Sequence, residues 1–477
     1  MITLPYNRFF LFCVLYLSIH FSFAQEPILI GTTVDGGIEN NGLIYQINGD
    51  GTGHRIIYCF DSINGKKPIG TIIKANDGDI YGMTYLGGAF GEGVIYKYNI
   101  QTNTYSKLHD FQNANGCQPF SGSLFQASNG KMYGMTWRGG VNDYGVIFSF
   151  DPINLTYTNL YDFDYWSGAG SYGSFIEGTD GKLYGMARAG ASGYGIVYQF
   201  NIHSNSFNVL HSFALNDGAY PLGSLVRGPN GILYGMTSEG GLASKGVIFS
   251  LNPQTNIFSK LFDFSDSTGA NPKNSMIVSD DGNLYGISYE GGSSSCFFNS
   301  GCGMLFKFNT QTNSYSNVKD LNEINGSRAE SDLFKASNGN IYGTTSHGGS
   351  AINGGLVFNY NPLNNHLLPL FAFNSDSVGI SPRGLIELYS ATKVDYQKDD
   401  LLINLYPNPT TGQLLITSDK NFDANILIYT STGILLTEIR QALNNTIDIS
   451  ELSAGVYLLQ VEFVSIHQKV VRRFIKM

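Results

Sequence analysis

The sequence predicts an all-β fold: a seven-bladed β-propeller closed by a C-terminal strand, followed by a small Ig-like β-sandwich. Three observations carry this. A segment rich in glycine and aromatic residues returns with a period near 51 residues. Each period parses into four short strands separated by turn residues. After Leu388 the pattern stops and a different one begins.

Composition agrees. There are 58 glycines, aromatic residues make up 13% and charged residues only 14%. Many glycines set among Tyr, Phe, Ile and Val mean short strands and tight turns. A chain of 477 residues is long enough for two or three domains. Its formal charge of −9 gives no electrostatic reason to expect nucleic acid or an anionic membrane as partner.

In chain order, residues 1–24 read as a signal peptide. Arg8 precedes a mostly apolar run from Phe9 to Phe23, and Ser22-Phe23-Ala24 offers small residues for cleavage before Gln25. The run falls short of the roughly 20 residues that span a bilayer, so no transmembrane segment is expected in the mature chain.

Residues 25–390 hold the repeats. Ile80-Tyr81-Gly82-Met83-Thr84 returns as Met132-Tyr133-Gly134-Met135-Thr136, then at Tyr184, Tyr234, Tyr285 and Tyr342, with Leu29-Ile30-Gly31 as a degenerate first copy. A fixed period of this length signals a repeat fold and suits one four-stranded propeller blade. Within a period, Gly122 to Ala127 is strand A and Lys131 to Thr136 is strand B. Gly145 to Phe150 is strand C and Thr156 to Phe163 is strand D. Asn129-Gly130 turns A into B, as a two-residue hairpin needs residues that tolerate positive φ. Each strand type occurs seven times, but the chain starts on B and ends on A, Gly384 to Leu388. That last strand can complete the first blade and close the ring, which removes exposed sheet edges.

Residues 391–402 read as a polar linker, and 403–477 as short alternating strands of a β-sandwich. Four cysteines remain after the leader. Cys296 and Cys302 flank a short insertion and could form a disulfide. Cys59 and Cys117 fall near one edge of neighbouring repeats, with their pairing open. No Cys/His metal spacing exists, and no cofactor or metal is expected.

Two resemblances follow from these motifs. The tail carries Leu405-Tyr406-Pro407-Asn408-Pro409-Thr410-Thr411-Gly412, then Ile428-Tyr429 with Ser431-Thr432-Gly433, then Ile449 to Tyr457 and Lys469-Val470-Val471-Arg472. It resembles the type A C-terminal sorting domain of the type IX secretion system of Bacteroidetes. That resemblance implies a partnership with the secretion machinery through residues 403–477, and a secreted or outer-membrane surface-attached product. The repeats are similar to the Gloeo/Verruco (GloVer) tandem-repeat family. Its Gly-x-x-Pro-x-x-x-Leu run appears in full from Gly218 to Leu225, and from Gly269 to Met276 with Met in the Leu slot. The resemblance implies no enzymatic chemistry.

Residues that repeat in every copy are scaffold, so the Tyr and Gly of each Tyr-Gly pair are read as packing. Residues that vary on a regular frame are better site candidates. The pair before each Gly-Gly differs every time, and strand alternation puts all these pairs on one loop-rich face. From them come the candidate ligand-binding residues Tyr85, Trp137, Arg138, Arg188, Glu239, Tyr289, Glu290 and His347. Aromatic rings there could stack on sugars, and the charged groups could bond hydroxyl or acidic groups. The expected function is a secreted or cell-surface interaction module for a glycan or protein ligand. The alternative is a carbohydrate-active hydrolase or lyase using acidic residues of this face, with Glu239 and Glu290 as the carboxylates. No GxSxG elbow or HExxH occurs, and the eight histidines are scattered.

Overall fold

The computed structural model describes residues 26–190, 192–293, 296, 300–349, 354–374, 378–389, 403–418, 423–430, 435–442, 445–463 and 468–477. The expected leader, 1–24, and linker, 391–402, lie outside them. The chain divides into two compact units, Met1–Lys393 and Val394–Met477. No helix among the described residues is long and apolar enough to cross a membrane.

Among the described residues, the first unit contains seven four-stranded antiparallel sheets. A representative one runs Ile176–Glu177, Leu183–Ala187, Ile196–Asn201, Ser206–Ser212, corresponding to strands A, B, C and D. Burial falls from inside to outside: every residue of the B strand is buried, whereas no residue of the D strand is fully buried. All seven C–D pairings shift register at the same point, for example between Val197 and Tyr198. Such a bulge adds twist to the outer edge.

The A strands are shorter than the sequence suggests. Six of them pair with B over only two residues, as in Ile176–Glu177. Just before those residues the backbone N–H turns to the neighbouring sheet. Ser174 N–H donates to Ser224 Oγ at 2.7 Å, Ser224 N–H to Ser275 Oγ at 2.7 Å, and Ser275 N–H to Asp332 Oδ1 at 2.7 Å. Thr71 N–H does the same to Ser123 Oγ at 3.1 Å. Bonds that would have lengthened the ladder are spent between sheets.

The seventh A strand, Ile380–Tyr389, is the exception. It pairs along the first B strand, Ile28–Asp35, from Tyr389 opposite Ile28 to Ile380 opposite Asp35. The last repeat strand therefore completes the first sheet. There the belt reverses, because Gly384 has no side chain to accept with. Its N–H donates to Ser331 Oγ at 2.7 Å instead.

Packing between consecutive sheets is aromatic. Outer-strand rings stack at centroid separations of 4.0 Å for Tyr58 and Tyr105, 4.1 Å for His109 and Tyr157, and 3.6 Å for His211 and Phe258. Phe371 of the seventh sheet stacks on His54 of the first at 4.1 Å. Each Tyr-Gly tyrosine packs on the following sheet, as Tyr81 does among Val146, Phe148 and Phe150. Its hydroxyl reaches back four residues to the A–B turn, for example from Tyr184 to Asp180 Oδ2 at 3.0 Å.

The glycine beside it is required by a side chain of the next strand. Gly134 lies opposite Phe148 in the ladder, and a Cβ there would sit 2.4 Å from Phe148 Cζ. The strand-C ring covers the glycine.

The second unit has a three-stranded sheet, ordered Ile403–Tyr406, Gln413–Ser418, Asn445–Asp448. Its four-stranded sheet is ordered Leu435–Ala442, Asp423–Thr430, Gly455–Phe463, Gln468–Lys476. One core that includes Leu414, Ile416, Ile426, Ile428, Leu459 and Phe474 lies between them. The Pro-rich start is tied to the end, with Thr410 N–H donating to Ile475 O and Met477 N–H to Thr410 O, both at 2.8 Å.

Candidate functional site

The D–A loops and the B–C loops meet. Ala219 and Glu239 exchange backbone hydrogen bonds of 2.7 and 3.0 Å, and the equivalent bridge recurs at Lys66 and Leu86, Cys117 and Arg138, Ala270 and Glu290, and Ser327 and His347. The second glycine of the Gly-Gly pair makes room for the strand-D aspartate. Asp162 Oδ1 accepts from Val141 N–H at 2.9 Å, and Asp263 Oδ1 from Leu242 N–H at 2.8 Å. These aspartates hold the loop of their own sheet, not the next one.

From that frame the D–A loops enter the A strands through a cavity of about 320 Å³. One slot of the repeat, the residue after the proline of the Gly-x-x-Pro run or its equivalent, lines it in all seven sheets. The occupants in chain order are Ile69, Phe120, Tyr172, Leu222, Lys273, Glu330 and Arg383. Four consecutive slots are aliphatic or aromatic and three consecutive slots are charged. Between them lie the belt residues Thr71, Ser123, Ser224, Ser275, Ser331 and Asp332.

The charged arc is one network. Arg383 Nη2 donates to Glu330 Oε2 at 2.5 Å, and Lys273 Nζ lies 3.7 Å from Glu330 Oε1. Arg383 is 9% exposed, and its Nε and Nη1 are buried with no hydrogen-bond partner among the described residues. Burial works against ionisation of Glu330, but Arg383, with Lys273 and His347, outweighs it and holds the carboxyl below its ordinary range. Asp332 is pushed the other way by burial, against the Ser275 N–H that it accepts. Burial also lowers Lys273, opposed by Glu330 and Glu290.

None of the eight candidate residues lines this cavity. Three of them, Tyr85, Trp137 and Tyr289, touch side chains that do. Tyr85 meets Phe120 edge-on at 5.1 Å, and Trp137 lies 5.9 Å from the same ring. Tyr289 has Lys273 Nζ 3.2 Å from its centroid and Arg328 at 5.4 Å. Arg188 covers Tyr220 at 4.5 Å. His347 accepts from or donates to Ser346 Oγ at 3.0 Å, and Arg328, Glu330 and Arg383 all influence its charge. Arg138 and Glu239 are exposed, with Arg138 5.5 Å from the Trp137 ring. The expected sugar-stacking face of Tyr289 is therefore already occupied by a cation of this chain.

Cys296 and Cys302 are joined by a disulfide, with Cα atoms 5.3 Å apart. Cys59 and Cys117 are both free thiols, and burial pushes Cys117 up to about 12. Among the described residues no cluster of His, Cys, Asp and Glu has metal-binding geometry.

The cavity slot was visible in the sequence as the variable position inside a recognised run. Attention to the residues that surround Gly-Gly passed over it. The signal that marks it is the change from apolar to charged occupants at Lys273.

Comparison with known proteins bears on both units. The Gloeobacter/Verrucomicrobia repeat profile matches residues 22–192 and 171–394, and the secretion system C-terminal sorting domain matches 404–477. No curated protein is matched. Among solved structures, a candidate 6-phosphogluconolactonase from Bacteroides uniformis has a TM-score of 0.53 at 13% identity, covering 76% of this chain and 99% of its own. One from Bacteroides fragilis has a TM-score of 0.51 at 14% identity, with 77% and 99% covered. PorZ of Porphyromonas gingivalis, a surface component of the type IX secretion system, has a TM-score of 0.45 at 14% identity. The match covers 92% of this chain but only 63% of PorZ. The two likenesses above 0.5 support a propeller-like fold. The tail marks the chain for type IX export, so the product is secreted or attached to the cell surface.

Proposed function

This chain belongs to the Gloeobacter/Verrucomicrobia repeat family and ends in a secretion-system sorting domain, and from that premise we propose that it is an extracellular ligand-binding propeller. In this reading residues 1–24 are the leader and 25–390 a seven-bladed ring. Residues 391–402 are a linker, and 403–477 an Ig-like sandwich read by the export machinery. Pairing of Ile380–Tyr389 with Ile28–Asp35 and stacking of Phe371 on His54 support ring closure.

One observation carries the binding role: a single repeat slot lines one cavity in every sheet, and its occupants are sorted into an apolar arc and a charged arc. Scaffold packing asks for similar residues in equivalent slots, whereas a ligand site asks for different ones. A glycan suits the pairing of Phe120 and Tyr172 with nearby hydroxyl and charged groups. The eight loop residues, Tyr85 to His347, form the collar that would meet the part of a ligand outside the cavity. The test is a glycan array probed with the exported chain. Retention that disappears in a Phe120→Ala, Tyr172→Ala double variant of unchanged melting temperature supports the reading. Absence of retention on every glycan counts against it.

A second reading, hydrolysis or lysis of a glycan, has one specific observation in its favour. Glu330 and Asp332 share the cavity and are shifted in opposite directions, the condition that separates an acid from a base. Glu239 and Glu290, the pair suggested by the sequence, are outside the cavity lining. New reducing ends or unsaturated products from polysaccharide, lost in Glu330→Gln and Asp332→Asn, would favour catalysis over binding.

A further inference from the structure

We propose that the cavity selects sugars that carry a carboxylate, bound with the acid on Arg383 and Lys273 and the ring against Phe120 and Tyr172. This rests on reading the cavity as a ligand site.

The unused donors of Arg383 point to an anion. Lys273 and Arg383 both pair with Glu330, with Glu290 also acting on Lys273 and Asp332, which burial pushes toward its neutral form, in the cavity lining. Arg383 has more donors than its partner can use. One nitrogen is bonded to Glu330, while Nε and Nη1 are buried without partners among the described residues. A buried guanidinium donor left unbonded is costly, and a ligand oxygen would remove that cost. Arginine also outperforms other cations in holding planar carboxylates.

The other wall separates an acidic sugar from a bare anion. Phe120 and Tyr172 stand at 81° with centroids 5.3 Å apart, so together they present one ring face beside one ring edge. Ile69 and Leu222 extend this apolar arc. Phosphate would leave all four unused, whereas the C–H face of a pyranose would cover them. Belt hydroxyls supply the remaining polarity. Ser123, Ser224 and Ser331 each accept a backbone N–H and keep their own hydrogen to donate, whereas the Ser275 hydroxyl is bonded to Asp332. A volume of about 320 Å³ is at the small end of ligand sites, suited to one or two sugar rings.

Calorimetric titration of the full exported chain tests this with four probes: methyl glucuronide, methyl galacturonide, methyl glucoside and inorganic phosphate. At least one uronide should bind about tenfold or more tightly than the glucoside. Arg383→Gln should lower uronide affinity about ten- to hundredfold, the range of charge-assisted hydrogen bonds, and lower glucoside affinity much less. Lys273→Gln keeps the Arg383–Glu330 pair and should act in the same direction, which guards against a folding defect in the arginine variant. Equal affinity for uronides and glucoside overturns acid selectivity and leaves the binding module standing. Phosphate binding as tightly as the uronides overturns the sugar part. Binding of none of the probes overturns the proposal, while retention of other glycans on the array would still support the wider reading.

Discussion

At the residue scale, the glycine of each Tyr-Gly pair shows how one side chain decides another. Gly31, Gly82, Gly134, Gly235, Gly286 and Gly343 would each place a Cβ under 2.8 Å from an aromatic ring of strand C. Overpacking of this kind typically costs about 1–3 kcal/mol. Gly134→Ala should therefore lower stability in a urea titration by that amount, and much less in a Phe148→Leu background. An equal cost in both backgrounds would mean that backbone, not the ring, sets the requirement. The carboxyl of Glu330 makes a prediction about pH. Its folded pKa lies below the ordinary 4.5, because Arg383 and Lys273 outweigh burial. A depressed carboxyl stabilises the fold above its unfolded pKa and loses that contribution as pH falls through the folded value. The melting-temperature advantage of the native chain over Glu330→Gln should thus be full above pH 4.5 and shrink on acidification. A gap that is constant with pH would refute the ion-pair account. The sequence marked the Tyr and Gly as scaffold by their repetition. Arg383 was not legible as a site residue, because its meaning depends on a cavity whose seven walls are some fifty residues apart in sequence.

At the element scale, the B, C and D strands were readable because hydrophobic alternation and Asn-Gly or Asp-Gly turns are local signals. The A strands were read too long. Their N-terminal halves bond Ser Oγ atoms about fifty residues away, as Ser174 N–H does to Ser224, and no local pattern announces that. The closing strand was legible from the permuted strand count and carries a direct prediction. Ending the repeat unit at residue 379 removes Ile380–Tyr389, the whole inner partner of Ile28–Asp35. The first sheet would then expose an unpaired edge. The truncated unit should lose its single cooperative melt or associate on size exclusion. A sharp, monomeric melt like that of the longer chain would show that closure contributes little.

At the scale of the whole molecule, repetition and variation have separate uses. Repeated residues build the frame: stacked outer rings, the serine belt, the aspartates that hold the Gly-Gly loops. Variation gathers where the loops descend into the A strands, first in the collar from Tyr85 to His347 and then in the seven cavity slots. The tail adds an address, export by the type IX system. The export address was readable because its motifs are contiguous in sequence, whereas the cavity is assembled from seven separated loops. The central claim is that the cavity, not the collar alone, binds the ligand. Glycan retention by two double variants of equal melting temperature measures this most directly. Phe120→Ala with Tyr172→Ala should abolish retention, and Trp137→Ala with Arg138→Ala should only weaken it. Full retention by the cavity variant, with loss in the collar variant, would contradict the account.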